Sequence, residues 1–167
     1  MSISISLATR EDSDQIIKLL KDTANWLQEN NIDQWSYLRN GEEDNELRLA
    51  IQQQKTYIAT YNDKLVGTFT LYDSPNDWDK YIWGTMPPDA LYLHRLATVR
   101  DQQNKGVGRM MIDWIEREYK RGDKKYIRLD CVSANEALNK YYRDAGFTFL
   151  GIHHDQCKYE KGFEHND

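Results

Sequence analysis

The chain has 167 residues, enough for one domain with a sizeable core. Its hydrophobic content of 40% and charged content of 29% are ordinary for a globular protein, and a net charge of −5 argues against nucleic acid and anionic membrane as partners. Two cysteines, Cys131 and Cys157, give neither a disulfide framework nor metal-ligand spacing, no apolar run approaches the roughly 18 residues of a membrane span, and the alternating start Met-Ser-Ile-Ser-Ile-Ser lacks the basic and apolar regions of a secretion signal, so cytoplasm is the expected compartment.

Ile3, Ile5 and Leu7 alternate with serines, the period of a first strand. Thr9 stands where a helix needs its N-cap, and Glu11, Asp12 and Asp14 suit the first turn. Ile16, Leu19, Leu20, Thr23, Trp26 and Leu27 recur at three- and four-residue steps, which predicts an amphipathic helix terminated at Asn30 and Asn31. A polar connection from Ile32 to Asn45 carries Trp35, Tyr37 and Leu38. Glu46 to Gln54 reads as a short helix with Leu47, Ala50 and Ile51 inward. Thr56 to Tyr61 and Leu65 to Tyr72 read as strands, joined by Asn62-Asp63-Lys64 as a hairpin. Asp73 to Ala90 holds Pro75, Pro87 and Pro88 with Trp78, Tyr81 and Trp83, and reads as a loop with one short ordered piece. A loop of that length is expected to be functional or mobile.

Leu91 to Val99 is a further strand, followed by a polar turn from Arg100 to Lys105 and by Gly106 and Gly108. The next helix places Val107, Met110, Met111, Trp114, Ile115 and Tyr119 on one face, and Lys120, Arg121 and Gly122 close it. Tyr126 to Val132 is a strand. Ser133 or Asn135 caps a helix whose stripe is Leu138, Tyr141, Tyr142 and Ala145, with Gly146 as its left-handed C′ residue. Phe147 to His153 and Gln156 to Glu160 finish the sheet, and the tail from Lys161 is polar and prone to fray. No repeat or linker interrupts the chain, so residues 1–167 read as a single domain of α/β (α+β) class.

Strand, polar turn, Gly-x-Gly and helix form a layout suited to phosphate, because glycine lets backbone N–H groups approach an anion and the first-turn N–H groups of a helix have no partner within it. The same layout also serves as a plain tight turn. A Walker A loop is absent, and the dinucleotide fingerprint fails at Met111, where a third small residue is needed, although Asp130 falls near its acidic position. Gln103-x-x-Gly106-x-Gly108, preceded by Leu96-Ala97-Thr98, resembles motif A of the GNAT superfamily of N-acetyltransferases. Asn135 to Phe147 is similar to its motif B, N-x-x-A-x-x-x-Y-x-x-x-G-F, except that Ala137 falls one place early. The two motifs stand in the family's order and separation. The resemblance is specific over 91–151 and rests on element order before that.

The resemblance implies the GNAT fold, a mixed and mostly antiparallel sheet with flanking helices, whose two central parallel strands splay apart to admit the cofactor. It implies transfer of an acetyl group from acetyl-CoA to a primary amine of a small molecule, by direct attack through a tetrahedral intermediate. Backbone N–H groups of Gln103, Asn104, Lys105, Gly106, Val107, Gly108 and Arg109 would then hold the pyrophosphate; Lys105 and Arg109 either add charge there or form a solvated surface pair. Leu96, Ala97 and Thr98 would face the pantetheine arm as an added strand does, with an N–H near Leu96 for the oxyanion.

Two roles are open to Asn135, helix cap and amide partner of the pantetheine arm. Two are open to Tyr142, core packing and the family's acid that protonates the departing thiolate; a phenol with reference pKa near 10 stays protonated for that task. His94 lies two residues before Leu96, where the aralkylamine acetyltransferases carry the second His of H-x-H-x-L-A-V, Tyr92 replacing the first. It is either a base acting through water or a partly buried strand residue. Trp26, Trp35, Trp78, Tyr81 and Trp83 are candidates for an aromatic acceptor wall suited to an aromatic or cationic amine, and Glu42, Glu43 and Asp77 either attract a cation or are ordinary surface charges. His153, His154 and His165 lack comparable placement, and no metal site is expected. Acetylation of proteins or peptides, and a CoA-binding sensor without catalysis, are the competing readings. A homodimer is compatible with all three.

Overall fold

The structure is a computed structural model that describes residues 2–32, 35, 38 and 41–163. Tyr37 and His165 lie outside the described residues. In chain order the elements are β1 (Ser4–Leu7), α1 (Ser13–Glu29), α2 (Asp44–Gln52), β2 (Thr56–Tyr61), β3 (Lys64–Tyr72), α3 (Asp77–Trp83), β4 (Ala90–Thr98), α4 (Val107–Tyr119), β5 (Tyr126–Val132), α5 (Glu136–Asp144), β6 (Thr148–His153) and β7 (Gln156–Gly162), with 3-10 turns at Arg10–Asp12 and Arg100–Gln102. The described strands form one mixed seven-stranded sheet in the order β1-β2-β3-β4-β5-β7-β6, flanked by helices. Two compact units divide the chain: Met1–Leu71 with His94–Trp114, and Tyr72–Leu93 with Ile115–Asp167.

In the first unit, β1 pairs antiparallel with β2, and β2 with β3. Asn62 and Asp63, both at positive φ, make the two-residue turn whose twist matches that of the flanking strands. Thr9 starts a 3-10 turn rather than α1 itself. The Asp12 carboxylate accepts from the Thr9 N–H at 2.7 Å, and α1 begins only at Ser13. Its apolar stripe buries Ile16, Ile17, Leu19, Leu20 and Ala24 against Leu38, Leu47, Ile51 and Ala97. Met111, wrong for a dinucleotide turn, has a packing role. It lies over β3 at Gly67, where an added Cβ would stand 2.9 Å from its Cε and 3.1 Å from the Ala97 carbonyl.

In the second unit, β4 begins parallel to β5, pairing Ala90 with Tyr126, Leu91 with Ile127 and Tyr92 with Arg128. β7 lies between β5 and β6 and is antiparallel to both. The ordered piece expected within Asp73 to Ala90 is α3. Asn76 Oδ1 accepts from the Asp79 N–H at 2.8 Å and the Asp79 carboxylate accepts from the Asn76 N–H at 3.2 Å, a reciprocal cap. Asn135, not Ser133, caps α5, accepting from the Leu138 N–H at 3.1 Å. β7 continues through Gly162 instead of ending at Glu160, since Lys161 donates to the Ala145 carbonyl at 2.8 Å and pairs with Glu116 at 2.7 Å.

Candidate active site

The first unit carries the glycine-bearing turn. After β4, the Val99 N–H bonds the Val66 carbonyl and a 3-10 turn follows, its Gln102 N–H reaching back to the Val99 carbonyl at 2.8 Å. The Gln103 side chain donates to the Thr98 carbonyl at 3.1 Å and so ties the turn to the strand end. Asn104 and Gly106 take positive φ, 63° and 79°, and α4 starts at Val107, which is buried. The Met110 N–H bonds the Gly106 carbonyl at 3.0 Å, so Val107, Gly108 and Arg109 form the first turn of α4. Gln103, Asn104, Lys105, Gly106 and Arg109 are all exposed. Around a Cβ placed on Gly106, only Met110 Cε comes within 4 Å, at 3.9 Å. An exposed turn at the dipole's positive end, with Lys105 and Arg109 beside it in sequence, fits a diphosphate.

β4 itself is irregular in this unit. Arg95 adopts φ 53° within the strand, and the run from His94 to Leu96 is half-buried between buried Leu93 and Ala97, so the usual alternation breaks there. Nothing in the sequence marks that position, because an arginine in the left-handed region has no signature.

The second unit carries Tyr142 and Asn135. α5 ends in a Schellman motif: the Phe147 N–H bonds the Tyr142 carbonyl and the Gly146 N–H bonds the Arg143 carbonyl, each at 3.0 Å. Phe147 then meets the Tyr142 ring edge-on at 5.6 Å, and Tyr141 and Tyr159 stand 5.4 and 6.0 Å away. Burial pushes the Tyr142 phenol well above its usual value, and Cys131, Tyr141 and Asp130 add to the shift. Asn139, absent from the expected stripe, is buried. Its amide donates to the Val132 and Asn135 carbonyls, while its oxygen accepts from the Tyr159 hydroxyl at 2.6 Å. It locks α5, and with it Tyr142, onto β5 and β7.

The aromatic candidates differ in exposure. In the first unit, Trp35 packs against the core cluster and Trp26 is half-buried with the Arg100 guanidinium 4.0 Å above its ring. In the second, Trp83 is buried with Ile82, Ala90 and Tyr92. Trp78 and Tyr81 are 42% and 50% exposed, their rings 5.9 Å apart. The Trp78 indole donates to both Asp130 carboxylate oxygens, and Tyr81 stacks on His154 at 4.2 Å. Tyr92 is buried and its hydroxyl accepts from Arg128 at 3.1 Å. Arg128 is a buried charge that a strand pattern would have turned outward. It pairs with Glu160 at 2.7 Å and Asp89 at 3.5 Å, and lies within 6 Å of the Trp83, Tyr92 and Tyr126 rings. Burial opposes its charge, but the bonds to Glu160 and Tyr92 outweigh that and raise its pKa. Glu43, which the sequence left as either a cation attractor or ordinary surface charge, is engaged by Arg95 at 3.1 Å.

Residues 20–147 match the acetyltransferase (GNAT) family. The chain belongs to that family. Its relative YesJ of Bacillus subtilis strain 168, an uncharacterised N-acetyltransferase, is 33% identical over 145 residues, 86% of this chain and 81% of that protein. The crystal structure of a GNAT-family acetyltransferase from Listeria monocytogenes is similar with a TM-score of 0.83 and 30% identity, covering 96% of this chain and 94% of that one. The PaiA N-acetyltransferase of Thermoplasma acidophilum, solved in complex with coenzyme A, shares the fold with a TM-score of 0.78 at 18% identity, over 98% of this chain and all of that one. As a GNAT protein this chain is an acetyltransferase, and the expected mixed sheet with flanking helices is the one observed. Among the described residues, no helix is long and apolar enough to cross a membrane.

Proposed function

We propose that the protein transfers an acetyl group from acetyl-CoA to the primary amine of a small molecule. The observation that carries this reading is the exposed turn of Gln103 to Gly106 leading into the N-terminus of α4. N–H groups from Asn104 to Arg109 hold the pyrophosphate, with Lys105 and Arg109 adding positive charge, while the Gln103 N–H closes the preceding turn on the Arg100 carbonyl at 3.2 Å. Backbone groups of Leu96, Ala97 and Thr98 hold the pantetheine arm, joined by the Asn135 amide. Acetyl-CoA supplies an activated thioester; every other contribution comes from the protein.

His94 takes the proton of the incoming ammonium through water, since an alkylamine near pKa 10.4 is mostly protonated at neutral pH. The Leu96 N–H donates to the carbonyl oxygen as charge grows on it. Tyr142 gives its phenolic proton to the leaving sulfur. Of the candidate aromatic residues, Trp78 and Tyr81 carry the exposed ring surface that can stack on an acceptor, whereas Trp26 and Trp35 are half-buried and Trp83 is buried.

Incubation with acetyl-CoA and a panel of small amines, read as free thiol, is expected to give acceptor-dependent release. Release with peptides alone would move the assignment to protein acetylation. Cofactor binding without release from any acceptor would make the protein a sensor.

A further inference from the structure

A left-handed backbone costs any L-residue other than Gly, Asn or Asp, and it persists only where surroundings hold it. Arg95 holds such a conformation, φ 53°, within β4. Its side chain is only 12% exposed, and Nη2 donates to Glu43 Oε2 at 3.1 Å, with Glu46 Oε2 at 3.9 Å. Glu43 is the N-cap residue of α2 and Glu46 lies in its first turn. A helix N-terminus repels a cation, so the carboxylates, and not the helix, retain the guanidinium. The pair therefore anchors the one residue of β4 whose backbone is left-handed, next to the peptide that precedes Leu96.

We propose that the Arg95–Glu43 ion pair is a positioning device that holds this backbone turn and so sets the direction of the Leu96 N–H. The inference rests on the donor role given to that N–H above. Neither side chain touches a reacting group. What the pair fixes is one torsion, and displacement of a donor by about 1 Å costs on the order of 10²-fold in rate.

A substitution series at Arg95 separates torsion from charge and packing. Arg95→Ala removes the ion pair and disfavours positive φ; Arg95→Gly removes the ion pair but adopts positive φ freely. If the device works through the torsion, Arg95→Ala lowers kcat about 10²-fold with the KM for acetyl-CoA nearly unchanged, and Arg95→Gly recovers most of that loss. Glu43→Ala should lower kcat beside Arg95 and have little further effect beside Gly at that position. Glycine no better than alanine, or losses that simply add, would overturn the proposal, since lost packing or lost charge predicts those results.

A parent protein without transfer activity would instead overturn the donor role. The same four variants compared in urea then decide the torsional claim. Arg95→Ala less stable than Arg95→Gly supports it, and equal stability overturns it.

Discussion

Tyr142 is a core residue that the proposed mechanism also asks to act as an acid. It is 6% exposed, wedged among Tyr141, Phe147 and Tyr159, and burial first, then Cys131, Tyr141 and Asp130, holds its phenol well above the reference value of 10.0. A raised pKa keeps the proton on the oxygen, as an acid requires. Tyr142→Phe removes only the hydroxyl, so the fold should survive while kcat falls by about 10²-fold or more, measured under chemistry-limited turnover. The parent's kcat should show no falling limb from phenol ionisation below pH 10. Unchanged kcat in Tyr142→Phe would leave the ring as packing alone. Other residues were not legible at this scale. Arg128 and Arg95 look solvent-facing on a strand pattern, yet one is enclosed by rings and carboxylates and the other holds a left-handed backbone within β4 beside two carboxylates. Burial of charge depends on partners distant in sequence, which no local period encodes. Trp83 was grouped with Trp78 because both lie in a proline-bearing segment, and only the facing of α3 separates them.

Elements were read from the sequence most reliably where period and punctuation agreed. β2 and β5 have the bounds expected from their apolar runs, and the Asn62-Asp63 turn and the Gly146 terminus fall where turn chemistry puts them. α1 starts at Ser13 and α2 at Asp44, away from the expected starts, and neither N-cap side chain, Asp12 or Glu43, makes a capping hydrogen bond that would fix the boundary. Gly146 makes the sharpest test. Its φ of 94° suits glycine alone, and an added Cβ would lie 3.2 Å from Lys161 Cε, whose amine is held by the Ala145 carbonyl and Glu116. Gly146→Ala should therefore destabilise the protein by about 1–2 kcal/mol, seen as a lower urea midpoint at unchanged slope. A smaller loss would mean that Lys161 and the turn relax together.

For the whole molecule, periodicity gave the strands but not their arrangement. A central parallel pair, here β4 and β5, followed from the resemblance and not from any run of residues, and the insertion of β7 between β5 and β6 was not among the expectations. Ligand binding should be visible as global stability. Acetyl-CoA at about 100 times its Kd adds about 2.7 kcal/mol to the folded state, so the melting temperature should rise in its presence. Gly108→Glu puts bulk and negative charge in the first turn of α4 and should abolish the rise, while circular dichroism reports an intact fold. A shift that survives this change would place the phosphates elsewhere.

Cys131 and Cys157 stand directly opposite each other on β5 and β7, both buried. Burial, with Cys157 and Asp130 adding to it, pushes Cys131 up to about 12, and burial raises Cys157 as well. Only the thiolate attacks a disulfide reagent, so at neutral pH both should react slowly while the fold is intact, which titration of the folded protein without acetyl-CoA checks. A flat trace there would make the protein its own blank in a colorimetric thiol assay. Enzyme could then be added at stoichiometric concentration and the colour read as coenzyme A alone, which would open even a very slow acceptor to a single-turnover measurement.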